Sequence, residues 1–191
     1  MSRLYPVIFG VLVLPALLLS GCTSDNSGRA SVSGPEPEAV SAAPTEPPAA
    51  QVSFEGTDLD GTPVSSAVFS QSKLTMVNVW ATYCNPCLRE MPELGELAAE
   101  YNAGEFQIIG IVSDVMEGAE QSQVEHLVQQ TGANYPHLLL NQSIYDALLT
   151  DVSGVPTTFF IDKTGIVLGR VVGAREKSVW KEIINELLAA E

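Results

Sequence analysis

Histidine and cysteine are scarce in this 191-residue chain: His126 and His137 are the whole of the first, Cys22, Cys84 and Cys87 the whole of the second. A structural zinc site draws four ligands mostly from these two residue types, and neither histidine stands at ligand spacing from a cysteine. His126 is expected on the exposed side of a helix, and His137, which interrupts a strand pattern, as a surface or satisfied strand residue. Basic residues are also few, nine Lys and Arg against 23 Asp and Glu, for a formal net charge of −14. That balance argues against nucleic acid, whose phosphates demand basic patches, and against electrostatic adhesion to anionic lipid. No apolar run reaches the ~20 residues that a helix needs to cross a bilayer, and no internal repeat is visible.

What is present begins with Arg3, the only charge ahead of a nearly unbroken apolar stretch from Leu4 to Leu19. This is the pattern of a secretory signal, short for a permanent span and interrupted by Pro6 and Pro15. Leu18-Leu19-Ser20-Gly21-Cys22 resembles a bacterial lipobox, in which the cysteine thiol takes a diacylglyceryl group and becomes the mature N-terminus. Residues 1–21 are therefore expected to be a lipoprotein signal peptide and Cys22 the lipidation site, which also accounts for the odd cysteine count. A plain secretory signal that happens to hold a cysteine is the alternative. Residues 22–50 are rich in Pro, Ser and Ala without apolar periodicity, so they cannot bury enough surface to offset ordering. They form a linker that spans ~30 Å as a coil or ~85 Å if fully polyproline-like. Residues 51–191 are long enough for one domain, placed outside the cytoplasm and held to a bacterial membrane by acyl chains.

In that domain, Val52–Phe54, the Asp60-Gly61 turn signal and Val64–Phe69 suggest an N-terminal hairpin. Residues 73–81 are almost continuously apolar, as in a central strand buried on both faces. A helix from Pro86 carries a stripe of Leu88, Met91, Leu94, Leu97, Ala98 and Tyr101, with Pro92 expected to kink it. Phe106–Val112 reads as a second core strand, 117–131 as a helix stopped by Gly132, Tyr135–Leu140 as a third strand and Ile144–Leu149 as a short helical piece. Two further strands, Thr158–Ile161 and Ile166–Val172, are joined by a tight turn, and a final helix shows Trp180, Ile183, Ile184, Leu187 and Leu188 on one face. Alternating strands and helices define an α/β domain.

The chemistry lies where the first core strand ends, in Trp80-Ala81-Thr82-Tyr83-Cys84-Asn85-Pro86-Cys87. Two cysteines so spaced at a helix start can close a disulfide across one turn. Cys84 faces the free N–H groups and positive dipole end of the helix. Thiols so placed ionise below the free value of ~8.5, which makes Cys84 the attacking thiol and the deeper Cys87 the resolving one.

These residues, together with Pro92 and Gly154-Val155-Pro156-Thr157, resemble the thioredoxin superfamily, and within it the membrane-tethered TlpA/ResA-like thiol-disulfide oxidoreductases. The resemblance covers Val52 to Ala190. It implies a thioredoxin-like fold, a mixed central sheet flanked by helices with an N-terminal hairpin extension, and a redox-active Cys84–Cys87 disulfide. It implies a cis-proline at Pro156 facing the cysteines, and a substrate surface around Trp80, Tyr83, Val155 and Pro156. Tyr83 departs from the Trp that many relatives carry there. Glu90, three residues after Cys87 on nearly the same helix face, matches a glutamate that relatives use for proton exchange with the thiols; the plain alternative is a carboxylate favoured by the helix dipole. The expected partners are disulfide-bearing substrate proteins, a thiol-reductant electron donor in the membrane and, through Cys22, the bilayer; no cofactor is expected.

The expected activity is extracytoplasmic thiol-disulfide exchange, reducing substrate disulfides through Cys84 and Cys87. The alternative is a copper- or zinc-handling module on the same fold, although copper-handling relatives use a three-residue spacer between their cysteines. A thiol peroxidase resembles Pro-x-x-x-Thr-x-x-Cys, and here Val77 and Ala81 stand at the Pro and Thr offsets from Cys84.

Overall fold

A computed structural model describes residues 51–190; the expected signal, linker and Cys22 lie outside them. Continuous apolar sequence makes the two central strands, β3 (Leu74–Trp80) and β4 (Phe106–Val112), which run parallel in register from Leu74 opposite Phe106 to Trp80 opposite Val112. All seven residues of β3 are buried, as its lack of a polar face demands. Around this pair lie β1 (Glu55–Asp58), β2 (Pro63–Ser65), β5 (His137–Leu139), β6 (Thr157–Asp162) and β7 (Val167–Val172). The seven-stranded sheet has the order β2-β1-β5-β4-β3-β6-β7. β5 is parallel to β4, while β6 is antiparallel to β3 and β7 to β6.

Alternation along β3 divides the core. Leu74, Met76 and Trp80 face α1 (Asn85–Glu100), α2 (Gln121–Thr131) and α4 (Lys177–Ala190), meeting Met91, Leu94, Val124, Trp180 and Ile184. Val77 and Val79 face the other way, onto Phe54, Phe69 and the short helical stretch made of α3 (Gln142–Ile144) and a π-turn (Tyr145–Leu149). Lys177 Nζ ties α4 to α1 by ion pairs to Glu96 and Glu100 at 2.7 and 2.6 Å. Among the described residues no helix is long and apolar enough to cross a membrane.

Some expected boundaries shift. The hairpin ladder uses Glu55–Thr57 against Pro63–Ser65 rather than Val52–Phe54 against Val64–Phe69. The Asp58 carboxylate accepts the N–H groups of Asp60 and Thr62 at 3.0 and 2.8 Å and closes the expected turn around Asp60-Gly61; Phe69 lies in a following 3₁₀ turn (Ser66–Gln71). The helix expected from Glu117 starts at Gln121, because Ser113–Glu117 forms a separate 3₁₀ turn closed by Gly118 at φ 103°, a conformation that suits glycine. Pro92 stands exposed inside α1, which runs on to Glu100.

Candidate active site

The parallel strands carry the chain to the carboxyl edge of the sheet, where ligands gather in open α/β folds, and α1 begins there. Cys84 is its N-cap, with backbone φ −85° and ψ 90°, and Pro86 occupies the first turn, where a missing N–H costs nothing. Cys84 Sγ accepts the Cys87 N–H at 3.3 Å. Cys84 and Cys87 form a disulfide with S–S 2.02 Å and Cα–Cα 5.3 Å. Cys84 is 5% exposed and Cys87 fully buried, so an incoming thiol or disulfide reaches Cys84 first.

The Val155–Pro156 peptide is cis. Thr157 pairs with Val79 across the β6–β3 ladder, which places Pro156 beside the end of β3 where the motif begins. The Thr157 hydroxyl donates to Gly154 O at 2.7 Å and the Gly173 N–H to Pro156 O at 2.8 Å, pinning this turn from both sides. Val155 is half-buried and packs against the core that contains Cys84 and Cys87.

Tyr83, 68% exposed, projects beside the dithiol. It rims a cleft of about 240 Å³ lined with Val79, Tyr145, Leu149, Gly154 and Val155, on the sheet face covered by α3. Trp80 is not part of that surface. It is wholly buried on the opposite face, and its indole N–H donates to His137 Nδ1 at 3.1 Å. The expectation that Trp80 contacts substrate is thereby corrected: its bulk and its only polar atom are spent inside. His137 is a satisfied strand residue, its Nε2 placed 3.1 Å from Ala133 O, and burial pulls its pKa down to about 4, so the ring stays neutral. Its ring lies over Gly110, where a Cβ would meet Nδ1 at 2.2 Å.

Glu90 is 4% exposed on the buried side of α1, one turn beyond Cys87. Asn78 Nδ2 donates to Oε1 at 3.1 Å and the Arg175 N–H to Oε2 at 3.2 Å. Desolvation raises its pKa above the usual carboxylate value, against the lowering effect of these two bonds and of the Arg175 charge. A second cleft, of about 230 Å³, opens beside Glu90 between Pro86, Arg89 and Glu93 on α1 and Arg175 and Glu176 ahead of α4. The two clefts share no residue and flank the dithiol on opposite faces of the sheet.

Sequence reasoning passed over Asn78, Thr82 and Asp114. Asn78 was visible as the amide inside an otherwise apolar strand. Asp114 follows β4 at the sheet's carboxyl edge, and its Oδ2 accepts the N–H and hydroxyl of Thr82 at 3.0 and 2.6 Å; nothing in local pattern links residues so far apart. Among the described residues no group of three or more His, Cys, Asp or Glu side chains gathers as a metal site.

A Cys-x-x-Cys disulfide on a helix N-terminus beside a cis-proline, at the carboxyl edge of this sheet, defines a thioredoxin-fold dithiol oxidoreductase. The chain belongs to the AhpC/TSA family, whose model matches residues 48–170. It is 32% identical over 125 residues to the thiol-disulfide oxidoreductase ResA of Bacillus thuringiensis, covering 65% of this chain and 68% of that one. With ResA of Bacillus subtilis it shares 31% identity over 122 residues, 63% of this chain and 65% of the other. Among solved structures, a thioredoxin-family thiol:disulfide interchange protein from Chlorobium tepidum superposes with a TM-score of 0.64 at 30% identity, covering 76% of this chain and 99% of that one. The pneumococcal exposed lipoprotein thioredoxin Etrx1 from Streptococcus pneumoniae gives 0.56 at 27% identity, covering 70% and 98%. The chain is an enzyme of thiol-disulfide exchange.

Proposed function

We propose that this chain is an extracytoplasmic, lipid-anchored thiol-disulfide oxidoreductase that reduces disulfides in substrate proteins. The observation that carries the reading is the placement of Cys84 at the helix cap above a buried Cys87 and a buried Glu90. In the dithiol form, the Cys84 thiolate attacks one sulfur of a substrate disulfide. That bond breaks, the first substrate sulfur leaves and takes a proton, and a mixed disulfide joins the second to Cys84. Cys87 then yields its proton to the Glu90 carboxylate and attacks Cys84 Sγ. The intramolecular disulfide forms, the mixed disulfide breaks, and the second substrate sulfur departs as a thiolate that takes a proton from solvent, so two electrons pass to the substrate. A dithiol donor in the membrane returns the enzyme to its reduced form by the reverse exchange.

The cleft rimmed by Tyr83 and Val155, which mixes Val79, Leu149 and Val152 with Ser113, Glu117 and Ser153, is suited to an extended substrate segment, while the cleft beside Glu90 gives its proton a route to solvent on the other face. The lipobox-like Leu19-Ser20-Gly21-Cys22 supports anchoring, and the similar Etrx1 is an exposed lipoprotein. Two measurements test the proposal. Cys22→Ser should move the mature chain from the membrane to the soluble fraction; retention without an acyl mass would overturn the anchor. The dithiol couple should lie at or below the poise of cellular glutathione, about −220 mV; a value near that of strong oxidants, about −120 mV, would overturn the reducing direction.

A further inference from the structure

Asn78 is the one amide in the middle of β3, on the face it shares with Met76 and Trp80. A side-chain amide in such a place costs stability unless its polar atoms are bonded. Nδ2 is bonded twice, to Glu90 Oε1 at 3.1 Å and to Thr158 Oγ1 at 3.2 Å on the neighbouring strand. Oδ1, equally buried, has no partner. A core built for packing alone would place an apolar side chain here. This amide spends its donors on one carboxylate and one hydroxyl, and keeps an acceptor in reserve.

We propose that Asn78 is the positioning residue for Glu90, holding its carboxyl toward the dithiol in both protonation states. The inference rests on the reading that Glu90 receives the Cys87 proton. While Glu90 is ionised, Nδ2 donates to it. Once Glu90 carries the proton, its O–H needs an acceptor, and a half-turn of the amide brings Oδ1 to the place of Nδ2 without changing the shape of the side chain. Thr158 follows, because a hydroxyl both donates and accepts. Neither aspartate, which when ionised only accepts, nor an aliphatic residue serves both states. The carboxyl therefore keeps one position while its charge changes, which proton transfer within hydrogen-bond reach requires.

Other groups face Glu90 and bear on its titration. From α1 come Arg89 and Glu93, with Cys87 one turn back, and from the segment ahead of α4 come Glu176 and Arg175, with a backbone N–H bond and a guanidinium that both favour the carboxylate. The Tyr135 phenol, pushed up by burial and further by the Glu90 charge, stays neutral. From β6 comes only Thr158, through Asn78, and from α4 the neutral Trp180.

The test is the pH profile of insulin-disulfide reduction by the full chain, paired with direct titration of the Glu90 carboxyl by carbon-13 NMR. In Asn78→Ala the ionised form loses more than the acid form, since bonds to charged groups are the stronger, so both readouts should move upward by about one pH unit. Asn78→Asp keeps the volume and reports if the alanine chain does not fold; two carboxyls at this distance share one proton, and the shift should be larger. In a Glu90→Gln background Asn78→Ala should move the profile no further. If Glu90→Gln changes the profile while both Asn78 variants leave it and the carboxyl titration in place, Asn78 is a packing residue and the inference is overturned. If Glu90→Gln leaves the profile unchanged, the proton-carrier reading falls, and the positioning role with it.

Discussion

Asp114 grips Thr82 twice, its Oδ2 accepting the backbone N–H at 3.0 Å and the hydroxyl at 2.6 Å. The pair ties the 3₁₀ turn after β4 to the loop that ends in Tyr83 and Cys84, so Cys84 is held from behind as well as by its own helix.

Asp114→Ala should therefore loosen this loop and cost about 1–3 kcal/mol, since it removes two bonds to a carboxylate and leaves the part-buried Thr82 donors unpaired. Thr82→Val, which removes only the hydroxyl bond, should cost about 1 kcal/mol. Denaturant unfolding checks both, and slower disulfide exchange in Asp114→Ala at unchanged secondary structure would locate the effect in the loop.

Glu90 makes stability depend on pH in a direction set by its burial. Its folded pKa is raised above the ordinary 4.5, so the native state favours the protonated form. That contribution is whole below about pH 4.5 and is lost as pH rises through the folded value. Glu90→Gln removes the charge and should match the wild-type chain at low pH and exceed it at alkaline pH. Melting temperatures of the two oxidised proteins between pH 4 and 9 should diverge upward; parallel curves would mean that Glu90 ionises as if in water.

His137 works in the opposite sense. Its pKa falls from 6.5 to about 4 on folding, so its stabilising contribution is complete above pH 6.5 and drains away as pH falls toward 4. The full loss is about 3 kcal/mol at 1.36 kcal/mol per unit. Measured in the Glu90→Gln chain, to remove the opposing slope, wild-type His137 should give declining stability over this range and His137→Gln a flatter line from a lower start.

Gly110 is the third member of that cluster, and Gly110→Ala should be strongly destabilising, because its Cβ would meet His137 Nδ1 at 2.2 Å with the ring already bonded to Trp80 and Ala133. A wild-type melting temperature in that variant would contradict the enclosed packing.

How legible these features are from sequence depends on how local their causes are. β4 has the bounds its apolar run marks, and the cap at Cys84 follows from Pro86 and the stripe behind it, because neighbouring residues decide both. Glu90 was assigned to the motif's side of the helix by spacing alone; spacing could not tell that Arg175 and Asn78 would bond its two oxygens. The family resemblance implies a substrate surface that includes Trp80, whereas its place in a strand buried on both faces points inward; the structure follows the strand, and the pairing of β5 with β4 brings His137 to accept the indole N–H. The shifted start of α2 has a local cause, since Gly118 takes a left-handed conformation that ends one turn before the next begins.

Trapping the exchange intermediate tests the assignment of Cys84 as attacker and Cys87 as resolver most directly. Reduced Cys87→Ser and reduced Cys84→Ser chains are mixed with a protein disulfide at neutral pH, quenched with acid, and analysed by intact mass and peptide mapping. The expected result is a lasting mixed disulfide on Cys84 in the Cys87→Ser chain and little adduct in the Cys84→Ser chain, whose remaining thiol is buried and faces no free helix N–H. An adduct that forms faster through Cys87 would contradict the assignment and reverse the order of the two steps.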